Sequence, residues 1–134
     1  MNTTPSIVEL LDAIRDHLAV FELPQPFIVE VCREALRRDG HVSVHVDGYD
    51  GLPGVASSLL AWTDTLSAAT VQLWRPHNSA QVHVHVIGHL TDGTRVCVWS
   101  GTQYSPTVAN VVGMEPGERR QLPVGVLREW AGVR

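Results

Sequence analysis

The sequence has no lysine; all ten of its basic residues are arginine. A physical preference for guanidinium at every exposed position is implausible, so the bias reads as high-GC codon usage. Basic charge is scarce as well as uniform. The formal charge is −4, and apart from Arg37-Arg38 and Arg119-Arg120 the arginines are scattered. There is none of the basic stripe that duplex nucleic-acid binders carry. The two cysteines, Cys32 and Cys97, lie far apart in strand-like segments, where a thiol packs as a small apolar group, so no disulfide framework is expected and a reduced, cytoplasmic protein is. No apolar run approaches the ~20 residues of a membrane helix. The first residues lack the basic start of a signal peptide, and the apolar ones that follow are interrupted by Glu9, Asp12, Arg15 and Asp16. Repeats, linkers and low-complexity segments are absent too. At 134 residues the chain reads as a single domain, 1–134, that buries roughly two-thirds of its unfolded surface.

What is present is organised around residues 70–101, three consecutive strands of an antiparallel meander. In the middle strand Val82, Val84 and Val86 alternate with Gln81, His83, His85, Ile87 and His89, the period of a strand with one face in a core. A three-residue loop Thr91-Asp92-Gly93, with Gly93 left-handed, pairs Val86 with Val98 and His85 with Trp99. A two-residue turn would mix polar and apolar positions on both faces. At the other end a loop His77-Asn78-Ser79-Ala80 sets Leu73 beside Val84, Val71 beside Val86, Trp74 beside His83 and Gln72 beside His85. The core face is then Val71, Leu73, Val82, Val84, Val86, Val96 and Val98. The opposite face carries Trp74, His83, His85, Ile87, His89, Arg95, Cys97 and Trp99, more aromatic than an ordinary wet face.

Around the meander, Ser6 and Glu9 have capping-box spacing, with Thr4-Pro5 a competing start, and Ile7, Leu10, Leu11, Ile14 and Leu18 recur at helical intervals. This predicts a helix over about 5–21, with Glu9, Asp12, Asp16 and His17 on its solvated side. Residues 27–32 fit a helix or a strand; β-branched content and the preceding prolines favour a strand. A helical turn at 34–38 and an Asp39-Gly40 turn lead to a second strand, 41–47, with Val42, Val44 and Val46 inward and His41, Ser43, His45 and Asp47 outward, paired antiparallel with the first. After a loop at 47–51, Pro53 opens a helix with Val55, Leu59, Trp62 and Leu66 on one face. Residues 103–121 read as irregular, and a last helix over about 123–131 sets Val126, Leu127 and Trp130 against the body. The fold expected is α+β: an antiparallel sheet of about five strands with two or three helices mainly on one face, a two-layer sandwich.

Leu60-Ala61-Trp62, Ala69-Thr70-Val71, Val82-His83-Val84-His85-Val86, Asp92-Gly93-Thr94-Arg95-Val96 and Val126-Leu127-Arg128-Glu129-Trp130 resemble small uncharacterised α+β proteins of high-GC actinobacteria and their mobile elements. The resemblance covers roughly half the chain. It implies a source and carries no activity.

For function, the serines sit in no Gly-x-Ser-x-Gly elbow, and the glycines of 48–54 lack the Lys-Ser/Thr ending of a phosphate loop. Asp47, Asp50 and Asp64 read as turn and surface carboxylates. No cofactor is expected. His83 and His85 share a face with Cα atoms ~6.6 Å apart, as in the histidine pair of the cupin metal motif, but Gly88, His89 and Leu90 stand where that motif has its glutamate. Cys97 or His45 would have to complete a metal site there. Trp74 and Trp99 with Arg95 could stack single-stranded bases, and a nucleic-acid-associated regulator of a mobile element is the third reading; net charge opposes it. The leading expectation is a non-enzymatic binding or adaptor protein. It uses Trp74, His83, His85, Arg95 and Trp99 to meet a second copy, as a homodimer, or another protein.

Overall fold

The computed structural model describes residues 5–33, 41–48 and 51–132. The helical turn expected at 34–38, the Asp39-Gly40 turn, Tyr49-Asp50 and Thr4 lie outside the described residues. The elements, in order, are α1 (Ile7–Val20), β1 (Pro26–Val31), β2 (Val42–Val46), α2 (Gly51–Thr63), β3 (Ser67–Trp74), β4 (Gln81–His89), β5 (Arg95–Gln103), α3 (Pro106–Val111), β6 (Arg119–Leu122) and α4 (Gly125–Ala131). The class is α+β, as expected. The sheet is six-stranded and mixed, in the order β1-β2-β5-β4-β3-β6.

The meander follows the register argued from its pattern. Val86 lies opposite Val98 and His85 opposite Trp99, while Trp74 faces His83 and Leu73 faces Val84. Leu90 donates its N–H to the Thr94 carbonyl, closing a Thr91-Asp92-Gly93 loop in which Gly93 has φ of 91°. All seven expected core-face residues are buried. β1 and β2 are strands paired antiparallel, which settles the ambiguity at 27–32.

Three expectations need correction. The sheet is not wholly antiparallel, because β2 pairs parallel with β5, Val44 opposite Val98. Alternation fixes which face a side chain takes and carries no direction. Residues 103–121 are not irregular. Ser105 accepts a hydrogen bond from the Val108 N–H and Pro106 opens α3, and β6 adds the sixth strand beside β3. The third concerns α1. Ser6 and Glu9 form the capping box, but the buried stripe is Leu10, Ile14 and His17, whereas Ile7 and Leu11 are exposed. His17 turns inward because it finds partners there: its ring stacks on Trp62 and lies against Phe21, and one nitrogen meets the Thr65 hydroxyl.

One layer of helices covers the core face. Leu10 and Ile14 of α1, Leu52, Val55, Ala56, Leu59 and Trp62 of α2, Val108 of α3 and Leu127 of α4 join one cluster with the inward valines. Backbone approaches backbone closely at Gly48, in the loop after β2, where a Cβ would collide with the Gly101 carbonyl and crowd the Ser100 hydroxyl at 2.9 Å. Backbone cannot yield as a side-chain tip can. Gly48→Ala is therefore expected to cost about 1–3 kcal/mol, read as a lower urea midpoint at unchanged slope.

Candidate aromatic and histidine binding face

The described helices pack on the core face and leave the second face of the sheet to its own side chains, which cross-strand pairing arranges in rows. One row runs Ile28, His45, Trp99, His85, Gln72, Gln121 from β1 to β6. The next carries Gly101, His83, Trp74 and Arg119 on β5, β4, β3 and β6. Side chains directly opposite on neighbouring strands stand within contact range, so the two rows merge into one ladder of rings.

The ladder has a member on every strand. A register shift between Pro26 and Ile28, one extra residue in β1, brings Phe27 over the His45 ring at 4.3 Å between centroids. His45 stacks face to face on Trp99, 3.7 Å apart and tilted by 11°. Trp99 lies 5.0 Å from His83 and 5.8 Å from His85. Trp74 presents its edge or face to both histidines, at 5.4 and 6.4 Å, and the Arg119 guanidinium sits 4.3 Å over the Trp74 ring, a cation–π contact. Gly101 makes room at the centre: a Cβ there would meet the His83 ring carbon at 3.2 Å. Packed this way, Trp74, Trp99, His45 and His83 are half-buried by one another, Phe27 is exposed and His85 is buried.

Burial holds the His45 and His83 pKa values below the usual 6.5. For His45 the nearby Asp47 carboxylate partly opposes this; for His83 the neighbouring His45 adds to it. Both rings are therefore neutral at pH 7, and the face at that pH is an apolar, aromatic surface with arginines at its margins. Cys97 Sγ and His85 Nδ1 are 3.5 Å apart, within the range of a sulfur hydrogen bond. The His83 and His85 rings are stacked with centroids 6.1 Å apart. Among the described residues no three His, Cys, Asp or Glu side chains converge as a metal ion requires.

Of the expected site residues, the structure brings Trp74, His83, His85 and Trp99 together. Arg95 is exposed and stands opposite His89 at the far end of β5, four residues or ~13 Å from Trp99; it belongs to the rim. Phe27, His45 and Arg119 were not anticipated as parts of the ladder. The outward alternation of His41, Ser43 and His45 was a readable signal, yet His45 could not be set beside Trp99 without knowing that β2 runs along β5.

A cavity of about 920 Å³ lies on the helix side of the sheet. Leu52, Val108, Val112, Leu122, Val126 and Trp130 are among its walls, and no described histidine or cysteine lines it. No described helix is long and apolar enough to cross a membrane. Compared with known proteins, the chain matches no family model, no curated protein and no solved structure.

Proposed function

We propose that this is a non-enzymatic binding or adaptor protein that meets a protein partner through the aromatic and histidine face and works as a homodimer. The observation that carries the reading is the ladder itself. Rigid rings from five strands lie on an uncovered sheet face, half-buried by one another, and such rings supply contact area at little cost in side-chain entropy. The face's charges define the partner's chemistry. Arg95 and Arg119 flank the rings, and the acids near them are Glu30 at the β1 edge and Asp47 beside His45. A complementary surface is apolar in the middle with carboxylates at its margins.

The test is capture by the immobilised protein from a cell extract, repeated with Trp99→Ala and Arg119→Glu. The expected result is one protein retained by the wild type and lost with both variants at unchanged circular dichroism. The purified partner should then shift the indole N–H resonances of Trp74 and Trp99 and leave that of the buried Trp62 in place. Retention of the same proteins by Trp99→Ala overturns the reading. So does salt-sensitive binding of a single-stranded oligothymidylate, or a stoichiometric zinc ion that His83→Ala releases.

A further inference from the structure

Eight large apolar side chains stand exposed among the described residues, and seven belong to α1 and β1: Ile7, Val8, Leu11, Val20, Phe27, Ile28 and Val29. Val8 is 64% exposed and Phe27 53%. β1 is an outer strand of the sheet, and so is β6. The two edges are treated differently. β6 reads Arg119-Arg120-Gln121-Leu122, the charged composition that blunts an edge against further pairing. β1 reads Pro26-Phe27-Ile28-Val29-Glu30-Val31, an apolar edge with one acid, the kind that pairs.

The free backbone groups of that edge can be assigned. Cys32 donates its N–H to the His41 carbonyl on the β2 side. Alternation along the strand directs Glu30 the same way and turns the N–H and C=O of Val29 and Val31 outward. On the core face of the same edge Val29 remains exposed, and α1, which is in contact with β1, exposes Ile7, Val8 and Leu11.

We propose that β1 pairs antiparallel with β1 of a second copy, about a two-fold axis normal to the sheet and midway between the two Val29 residues. The strand is self-complementary in that register. Val29 meets the partner's Val29 and exchanges both backbone hydrogen bonds with it. Glu30 meets the partner's Ile28, so the two carboxylates do not face each other. The apolar surface on α1 and β1 is on the order of 500 Å² per copy, the upper end of what a monomer exposes. Two such patches meet the roughly 1,000 Å² that a stable interface needs.

The axis keeps the uncovered faces on the same side, so the pair is one twelve-stranded sheet. Its two Trp99 residues lie five strand spacings apart, about 24 Å before twist. The pairing supplies the homodimer of the proposed function and rests on that reading only for what the doubled face meets. A partner with two matching surfaces would be held at both, with the gain in retention that a second, intramolecular contact brings.

Light scattering on the full chain across a dilution series tests the pairing. The wild type is expected to be a dimer. Val29→Pro removes an outward N–H, a place where an edge strand tolerates proline, so the fold is kept. It should raise the dimer dissociation constant about thirtyfold or more, from the loss of two backbone hydrogen bonds per dimer. Val8→Glu should dissociate the dimer without touching the strand, while Trp99→Ala should leave it whole. Slow amide exchange at Val29 and Val31 in the wild type is the second readout. A monomeric wild type overturns the proposal. A dimer that resists Val29→Pro and falls apart with Trp99→Ala overturns it too, by moving the interface to the ring face. Loss of partner capture by Trp99→Ala from an intact dimer keeps the two readings separate.

Discussion

Trp62→Ala is expected to lower the stability of the chain by about 3–5 kcal/mol, a large part of the 5–15 kcal/mol that holds a typical domain folded. Trp62 is fully buried in the last turn of α2, in the core that α1 and α2 share with the inward face of the sheet. Its ring stacks on His17 at 5.8 Å, and its indole N–H donates to the Pro24 carbonyl at 3.4 Å. The alanine variant loses the burial, leaves a cavity and strands the carbonyl. It also uncovers His17, whose place inside depends on that stack. Urea unfolding followed by circular dichroism measures the effect; the midpoint should fall at unchanged slope. Trp62→Phe keeps a ring against His17 and should recover more than half of the loss. An alanine variant within 1 kcal/mol of wild type, by contrast with the ~3–5 kcal/mol of a large core truncation, would mean that α1 and α2 do not meet around this residue.

The second large effect is loss of stability in acid. The Thr65 hydroxyl donates to the Trp62 carbonyl at 2.8 Å, so its oxygen can only accept from His17 Nε2–H, at 2.8 Å. That fixes the neutral tautomer and leaves Nδ1 buried, with no partner among the described residues. Burial lowers the His17 pKa from 6.5, against the pull of the Asp92 carboxylate. His45, beside Asp47, Trp99 and Phe27, and His83, beside His45 and the two tryptophans, are lowered too. A histidine whose folded pKa lies below its unfolded value binds more protons unfolded. Stability is then complete above about pH 6.5 and declines as pH falls toward the folded values. Urea midpoints measured from pH 7.5 down to 5 are expected to fall throughout the acid half of that range. His17→Gln can still donate to Thr65. It should be somewhat less stable at pH 7 and show a flatter profile, with His45 and His83 supplying the remaining slope. An unchanged profile in His17→Gln would place the titration elsewhere.

Both effects centre on α1 and α2, where sequence reading was partly mistaken. α1 is apolar nearly all round, with Ile7, Val8, Leu10, Leu11, Ile14, Leu18 and Val20, so two stripes compete, and the one containing a histidine looks the poorer. Only the pocket made by Trp62, Phe21 and Thr65 reverses the choice. The register of the meander was legible to the residue because three local constraints agree: strict alternation, a left-handed glycine at 93 and a loop of defined length. β6 was not, since Arg119-Arg120-Gln121 shows none of the apolar alternation of a half-buried strand and pairs at an edge. Four of the five residues expected to form the face do so, because alternation alone places them. The missing members share one cause. His45, Phe27 and Arg119 reach the ladder through a parallel pairing, an extra residue in β1 and an edge strand, each a long-range outcome that local pattern does not encode.

The parallel seam between β2 and β5 also orders the assembly of the chain in time. β3, β4 and β5 are joined by short connections and can close as hairpins on a microsecond scale, whereas Val42 and Val96, opposite one another in the seam, are separated by more than fifty positions and must wait for the larger loop to close. The block α1-β1-β2 therefore docks late, onto a platform already formed, and its removal leaves β5 with a bare side in the middle of what was the sheet. A block that docks last, through that seam and the stack of His17 on Trp62, is also the block two chains can trade: the same valines fit the same strand edge whichever copy supplies them.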